Sequence, residues 1–98
     1  MPAPTVEVEF LTLPQAVRIL GSKQLTVAVA GRTVADLLAQ LVDTHGPDLA
    51  RLLLDEDGRL AAMYKLFLND RDWLLPDEHD RELADGDRVT IMLLVGGG

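Results

Sequence analysis

One long amphipathic helix in the middle of the chain limits the fold more than any other feature. Its apolar residues recur at i, i+3, i+4, i+7 and i+8 and form one stripe, which consists of Val34, Leu37, Leu38, Leu41 and Val42. Thr33, three residues before Asp36, makes a variant of the capping box, and Gly46 followed by Pro47 stops the helix. The pattern predicts a helix over residues 34–45 that must bury a single face against another layer.

Alternating apolar and polar residues predict two strands before this helix. Residues 5–10 alternate with the period of a strand that has one buried face. Residues 25–29 repeat the alternation. The two segments are expected to form a hairpin, joined by a long connector that contains Pro14 and Gly21.

The second half of the chain predicts a short helix and two further strands. Helical spacing recurs briefly over residues 49–53, and residues 63–68 are apolar and compatible with a strand that ends in a turn at 69–72. Residues 77–87 are acidic and loop-like. Residues 88–95 form the most apolar run, which predicts a central strand buried at least in part on both faces.

These elements fit one architecture. One amphipathic helix packed across one face of a mixed sheet of about four to five strands buries every apolar stripe, which is the two-layer α+β class. The first and last strands are the most apolar long ones, so we expect them to pair at the centre, as in a β-grasp (ubiquitin-like) fold. We expect one domain over residues 1–95 and a flexible glycine tail over residues 96–98.

Composition excludes several classes of protein. The formal net charge is −7, so the clustered Lys and Arg that bind nucleic acid or an anionic membrane are missing. The absence of cysteine excludes a disulfide framework, a zinc ribbon and a thiol nucleophile on this chain. No apolar run reaches the ~20 residues that span a bilayer, and the N-terminus lacks a signal-peptide pattern. We therefore expect a cytoplasmic protein.

The sequence ends in three glycines, Gly96, Gly97 and Gly98, directly after its most apolar run. Glycine loses the most backbone entropy on ordering and buries no side chain, so this tail does not help the fold. Three extended residues reach at most ~10 Å, and without Cβ atoms they are slim enough to thread a terminal carboxylate through a narrow channel. The alternative is an inert tail.

An Asp-Gly-Asp turn at residues 85–87, an apolar strand and a glycine terminus close the chain. This segment resembles the closing segment of the ThiS/MoaD family of ubiquitin-like sulfur carrier proteins, and the resemblance covers most of residues 5–98. Residues 33–38 resemble its helix start, and residues 68–71 resemble its third-strand turn. The family tail is commonly a diglycine preceded by another residue, whereas Gly96 adds a third glycine here.

The resemblance implies a carried substrate rather than an enzyme. In this family a partner resembling ubiquitin-activating enzymes adenylates the terminal carboxylate with ATP, and a sulfur donor displaces AMP to leave a thiocarboxylate. Carried over to this sequence, Gly98 is the acceptor, and Gly96 and Gly97 form the access arm. The chain itself is expected to bind no cofactor, because the ATP-binding residues and the catalytic thiol belong to the partner.

Docking on these partners needs a surface as well as a tail. If the odd-numbered residues of the last strand face the helix, Met92 and Leu94 point to the other face of the sheet, which one helix cannot cover. Phe67 on the neighbouring strand extends this apolar patch. The patch is either a partner interface or a face covered by loops or a second copy.

Other polar residues carry weaker signals. The run of acids between residues 71 and 87 is interpreted as a solvated face, with steering by some of them towards a basic groove as the alternative. His45 falls in the last turn of the helix, where it suits the dipole. His79 lies among acids, but carboxylates so close in sequence cannot all face one ion, so no metal site is expected. Ser22 is the only serine, which excludes a hydrolase triad.

Three functions remain open from the sequence. The first is a sulfur carrier in cofactor or metabolite biosynthesis, and the short second helix favours the molybdopterin or cysteine branch of the family. In the molybdopterin case the chain would also be the small subunit of a synthase, with its tail in the large, sulfur-accepting subunit. The second is a protein modifier conjugated to lysine, and the third is an interaction domain with an inert tail.

Overall fold

A computed structural model describes residues 4–93 of the chain, in which five strands and three α-helices occur. The strands are β1 (Thr5–Leu11), β2 (Gln24–Ala28), β3 (Tyr64–Leu68), β4 (Asp72–Leu74) and β5 (Arg88–Leu93). The helices are α1 (Pro14–Leu20), α2 (Val34–His45) and α3 (Pro47–Leu53), with a short 3-10 turn at Pro76–Glu78. The predicted boundary between a domain and a tail at residue 96 lies outside the described residues.

The five strands form one mixed sheet in the order β2-β1-β5-β3-β4. The two central strands, β1 and β5, are parallel, and every other neighbouring pair is antiparallel. The helix α2 supplies its apolar stripe to a core that also holds the inward residues of β1, β3 and β5. The predicted β-grasp fold, with the first and last strands paired at the centre, is confirmed.

The start of α2 is fixed by side-chain and loop groups that satisfy its free backbone amides. The Thr33 hydroxyl accepts from the Asp36 N–H at 3.1 Å, and the Asp36 carboxylate accepts from the N–H groups of Thr33 and Arg32. The next two amides, of Val34 and Ala35, donate to carbonyls of the 79–81 segment. The hydrogen bonds to Asp36, first from Arg32, hold the pKa of its carboxyl below the usual value. The predicted capping box and the predicted range 34–45 are confirmed.

The connector between the first two strands contains a helix that the sequence analysis did not predict. Pro14 occupies the first turn of α1, and Gly21 ends it in the left-handed conformation with φ of 78°. Proline at the start and glycine just past the end are typical helix signals. Within the connector these signals do not predict a helix on their own, because α1 has only seven residues and buries only Ala16 fully.

The strand β4 was also missed, since Asp72 was assigned to a turn and is instead the first residue of this strand. Three residues are too few for an alternation pattern to be recognised. Leu74 is buried opposite Leu66, while Trp73 pairs with Phe67 on the other face. The acidic segment after β4 is loop-like as predicted, apart from its 3-10 turn.

The Asp85–Asp87 turn determines where β5 enters the sheet. Gly86, with φ of 88°, donates its N–H to the Thr5 carbonyl at 2.8 Å, and the Asp87 carbonyl accepts from Glu7 at 2.9 Å. The Asp87 carboxylate accepts from the Asn69 amide at 3.0 Å and from the Ala84 N–H at 2.8 Å. The turn therefore ties β5 both to the start of β1 and to the end of β3.

We expect the Thr33→Ala substitution to lower the free energy of unfolding by about 1 kcal/mol, because an N-cap side chain that accepts a backbone N–H is lost. Urea denaturation followed by circular dichroism measures the change. The control is Thr44→Ala in the last turn of the same helix, where the hydroxyl is exposed. Equal losses in both variants would contradict a specific capping role.

Candidate functional site

The central strand β5 divides its side chains between the two faces of the sheet. Val89 and Ile91 are fully buried and pack in the core beneath α2. Thr90 and Met92 alternate with them and lie on the opposite face, called here the outer face. Thr90 is only 3% exposed, whereas Met92 is partly exposed. The prediction of a strand buried in part on both faces is therefore confirmed for the described residues of β5.

The outer face carries a small apolar cluster, called here the outer-face patch and consisting of Leu11, Phe67, Trp73 and Met92. Cross-strand pairing joins Leu11 to Met92 and Phe67 to Trp73, and paired residues point to the same face. Trp73 is 50% exposed and the other three are partly exposed. Phe67 is opposite Thr90 and Met92 is opposite Lys65, so two of the predicted interface residues, Phe67 and Met92, lie on the same face as diagonal neighbours.

The predicted acceptor Gly98, the arm residues Gly96 and Gly97, and the interface residue Leu94 lie outside the described residues. The last described residue, Leu93, ends the central pair of strands. Its carbonyl lies 3.1 Å from the Thr12 hydroxyl, and Thr12 itself has φ of 53°, which turns β1 away at this point. Leu11 and Met92 of the outer-face patch therefore lie at the end of the sheet where β5 ends, and Phe67 and Trp73 lie two positions further from it.

Sequence reasoning missed Leu11 and Trp73 as members of this patch. Leu11 follows Phe10 and breaks the alternation by which β1 was recognised, and Trp73 belongs to the unpredicted β4. The Lys65 ammonium lies 3.9 Å from the centroid of the Trp73 ring, which is a cation–π contact. In the sequence, the one indication of this edge of the patch is Trp73, which directly follows the turn predicted at residues 69–72.

Charged residues border the patch on the same face. The Arg88 guanidinium lies 3.4 Å from a Glu7 carboxylate oxygen and 3.8 Å from an Asp70 carboxylate oxygen. All three side chains are roughly half exposed, so each pair contributes little to stability. These charges leave the patch apolar at its centre and polar at its edge, which is the usual anatomy of a protein interface.

The acidic segment divides into structural and free carboxylates. Asp85 accepts from the Thr5 N–H at 2.9 Å, Asp87 holds the turn before β5, and Asp72 pairs with Arg81 at 3.1 Å. Asp77 and Asp80 are exposed. The reading of this segment as a plain solvated face is therefore incomplete, because part of it fixes the sheet.

Within residues 4–93, no cluster of three or more His, Asp and Glu side chains is arranged to hold a metal ion. His45 closes α2 as the sequence predicts. His79 is buried, although it is flanked by acids. No helix in this described range is long and apolar enough to cross a membrane.

Comparison with known proteins identifies related sequences. The model of the ThiS family matches residues 8–98. A protein of Archaeoglobus fulgidus named "Putative sulfur carrier protein" is 35% identical over 66 residues, which cover 67% of this chain and 74% of that protein.

Solved structures agree with this assignment. Small archaeal modifier protein 1 of Haloferax volcanii superposes with a TM-score of 0.75 at 26% identity, covering 95% of this chain and 100% of that one. A chain from the BexX/CysO complex of Amycolatopsis orientalis superposes with a TM-score of 0.69 at 26% identity, covering 95% of this chain and 99% of that one.

We expect Lys65 and Trp73 to be energetically coupled by about 0.5 kcal/mol, as an exposed cation–π contact would be. A double-mutant cycle with Lys65→Gln and Trp73→Leu, followed by urea denaturation, measures this coupling. The same cycle built with Lys23→Gln, the other lysine of the chain, should give no coupling. A zero value for the Lys65 cycle would mean that the contact does not hold the indole in place.

Proposed function

Since the chain belongs to the ThiS family of sulfur carriers and ubiquitin-like modifiers, we propose that it carries sulfur as a thiocarboxylate on Gly98. The match of the family model over residues 8–98 is the observation that carries this proposal. The pathway served is a biosynthetic one in which a small molecule must accept sulfur. The chain acts as a substrate passed between enzymes and is not itself a catalyst.

The chemistry requires activation because a carboxylate is a poor electrophile. One Gly98 carboxylate oxygen attacks the α-phosphorus of ATP on the partner enzyme, and pyrophosphate leaves. A sulfur nucleophile of the hydrosulfide class then attacks the carbonyl carbon of the acyl-adenylate. AMP leaves with the bridging oxygen, the nucleophile loses its proton, and the thiocarboxylate remains.

The residues of this chain present the C-terminal carboxylate to partner enzymes and do not supply the catalytic groups. The chain has no cysteine, so the sulfur-handling thiol, where one is used, belongs to a partner. Its apolar central strand leads directly to the glycines, and its charge of −7 suits a partner whose binding surface is basic.

The outer-face patch is proposed as the docking surface for the adenylating enzyme and the sulfur-accepting enzyme. It lies on the face that α2 leaves uncovered, and its Met92 is next to Leu93, the last residue of β5. Its apolar centre and charged edge support this role. Met92, Phe67 and, outside the described residues, Leu94 are the proposed contacts, joined by Trp73.

A second function, protein modification, is supported by the similarity to small archaeal modifier protein 1. The acyl-adenylate is the same intermediate in both cases. A lysine amine of a target protein, delivered by a partner, would replace the sulfur nucleophile and give an isopeptide bond. The two functions differ in the accepting nucleophile and not in the chemistry of this chain.

Incubating the protein with ATP, its cognate activating enzyme and sulfide should raise its intact mass by the replacement of one oxygen by sulfur. Mass spectrometry measures the change. Deleting Gly98 should abolish the gain and leave the thermal midpoint nearly unchanged, because a terminal glycine buries no side chain.

Deleting Met1 at the other terminus controls for truncation itself. Isopeptide adducts on other proteins, without the thiocarboxylate, would favour the modifier. An unchanged mass with an enzyme proven active on its own carrier would contradict both functions.

We expect Met92→Asp to raise the KM of the activating enzyme for this protein about tenfold with little change in kcat, since a buried apolar contact of the complex is lost. ATP–pyrophosphate exchange measures both constants. The matched control is Thr26→Asp, an exposed position on the outer face of the edge strand β2. Equal effects at both positions would contradict docking through the patch.

A further inference from the structure

A cavity of about 740 Å³ opens on the helical side of the molecule, away from the outer-face patch. Three segments enclose it: the first three turns of α2, the 54–60 loop that follows α3, and the 77–80 segment. Its volume lies within the roughly 300–1,000 Å³ typical of small-molecule sites. None of the outer-face patch residues lines the cavity. Ligand binding in the cavity can therefore be tested independently of the proposed sulfur transfer.

The floor of the cavity is aliphatic. Leu38 and Val42 of α2 and Leu54 and Leu60 of the loop line it. Leu38 and Leu60 are almost fully buried, while Val42 and Leu54 are partly buried. The floor can therefore accept the apolar body of a ligand, which would remove the remaining exposed aliphatic surface from water.

The wall of the cavity is negatively charged. Asp43, Asp77 and Asp80 contribute three exposed carboxylates, against the single guanidinium of Arg59. A small organic cation is attracted to such a wall, and an anion is repelled.

His79 gives the cavity an unsatisfied polar group. The residue is only 7% exposed, and its buried Nε2 has no hydrogen-bond partner among the described residues. Buried polar atoms are normally paired, so an unpaired one next to a cavity points to a missing partner. Burial lowers the pKa of the imidazole, although Asp77 and Glu78 oppose this, and a neutral ring offers a bare nitrogen that can accept.

We propose that this cavity binds a small amphiphilic amine, with its apolar body on the aliphatic floor and its ammonium group between the carboxylates and the His79 ring. The ammonium donates the hydrogen bonds that the carboxylates and the imidazole nitrogen can accept. Nothing in the proposed sulfur transfer uses these residues.

Three probes with the same body test the proposal: phenethylamine, phenethyl alcohol and hydrocinnamate, which are cationic, neutral and anionic. Protein NMR titrations follow the amides of Ala39 and Leu60 and the His79 ring. Phenethylamine should shift these signals saturably. Its affinity should be at least tenfold higher than that of hydrocinnamate, and the affinity of phenethyl alcohol should lie between the two. It should also change the pH titration of the His79 ring.

Substitutions separate charge from shape. The double substitution of Asp43→Asn and Asp80→Asn should weaken the binding of phenethylamine about fivefold and leave the binding of phenethyl alcohol unchanged. Ala39→Leu, at an exposed helix position that lines the cavity, should abolish binding, while Ala62→Leu outside the cavity should not. Equal affinity for the three probes, shifts that do not saturate, or binding that survives Ala39→Leu would overturn the proposal.

Discussion

The parallel pairing of β1 with β5 is the constraint on which the rest of the molecule depends, and hydrogen bonds from the Asp85–Asp87 turn set its register. Gly86 donates its N–H to the Thr5 carbonyl at 2.8 Å, and the Asp87 carbonyl accepts from the Glu7 N–H at 2.9 Å. A slip of one residue would exchange the two faces of β5. Exposing Val89 and Ile91 would cost about 1.5–3 kcal/mol each. The Asp-Gly-Asp motif that marks the family resemblance is therefore a register device in this chain.

Local sequence signals predicted the elements whose periodic pattern and end signals lie within the element itself. They failed for the elements whose formation depends on tertiary contacts. The stripe and caps of α2 lie within one window, so its bounds follow from residues 33–47 alone. The seven residues of α1 and the three of β4 are too short for a periodic pattern, and packing stabilises them. The same limit applies to the site. Met92 and Phe67 follow from alternation, but Trp73 joins them only through the pairing of β3 with β4.

The buried histidine illustrates a second limit of sequence reasoning. Among Asp77, Glu78 and Asp80, His79 has the surroundings of an exposed loop residue. Its backbone carbonyl, however, accepts from the Ala35 N–H at 2.9 Å at the start of α2. This bond brings residue 79 against the helix, and the ring is buried with it. The position of His79 follows from the capping of a helix more than thirty residues earlier in the chain, which no local pattern contains.

A domain this small, with one main helix, cannot cover both faces of a five-stranded sheet, and the uncovered face is where an apolar patch can persist. The core buries the apolar stripe of α2 and the inward residues of the sheet, whereas on the outer face Thr90 is buried and Met92 and Trp73 are at least partly exposed. The cavity lined by His79 lies in the other layer, built from α2 and two loops. A protein seated on the outer-face patch therefore leaves that cavity open. Since the two proposed functions, thiocarboxylate formation and lysine conjugation, use the same activated terminus, we propose that the choice between them depends on which partners the outer-face patch admits.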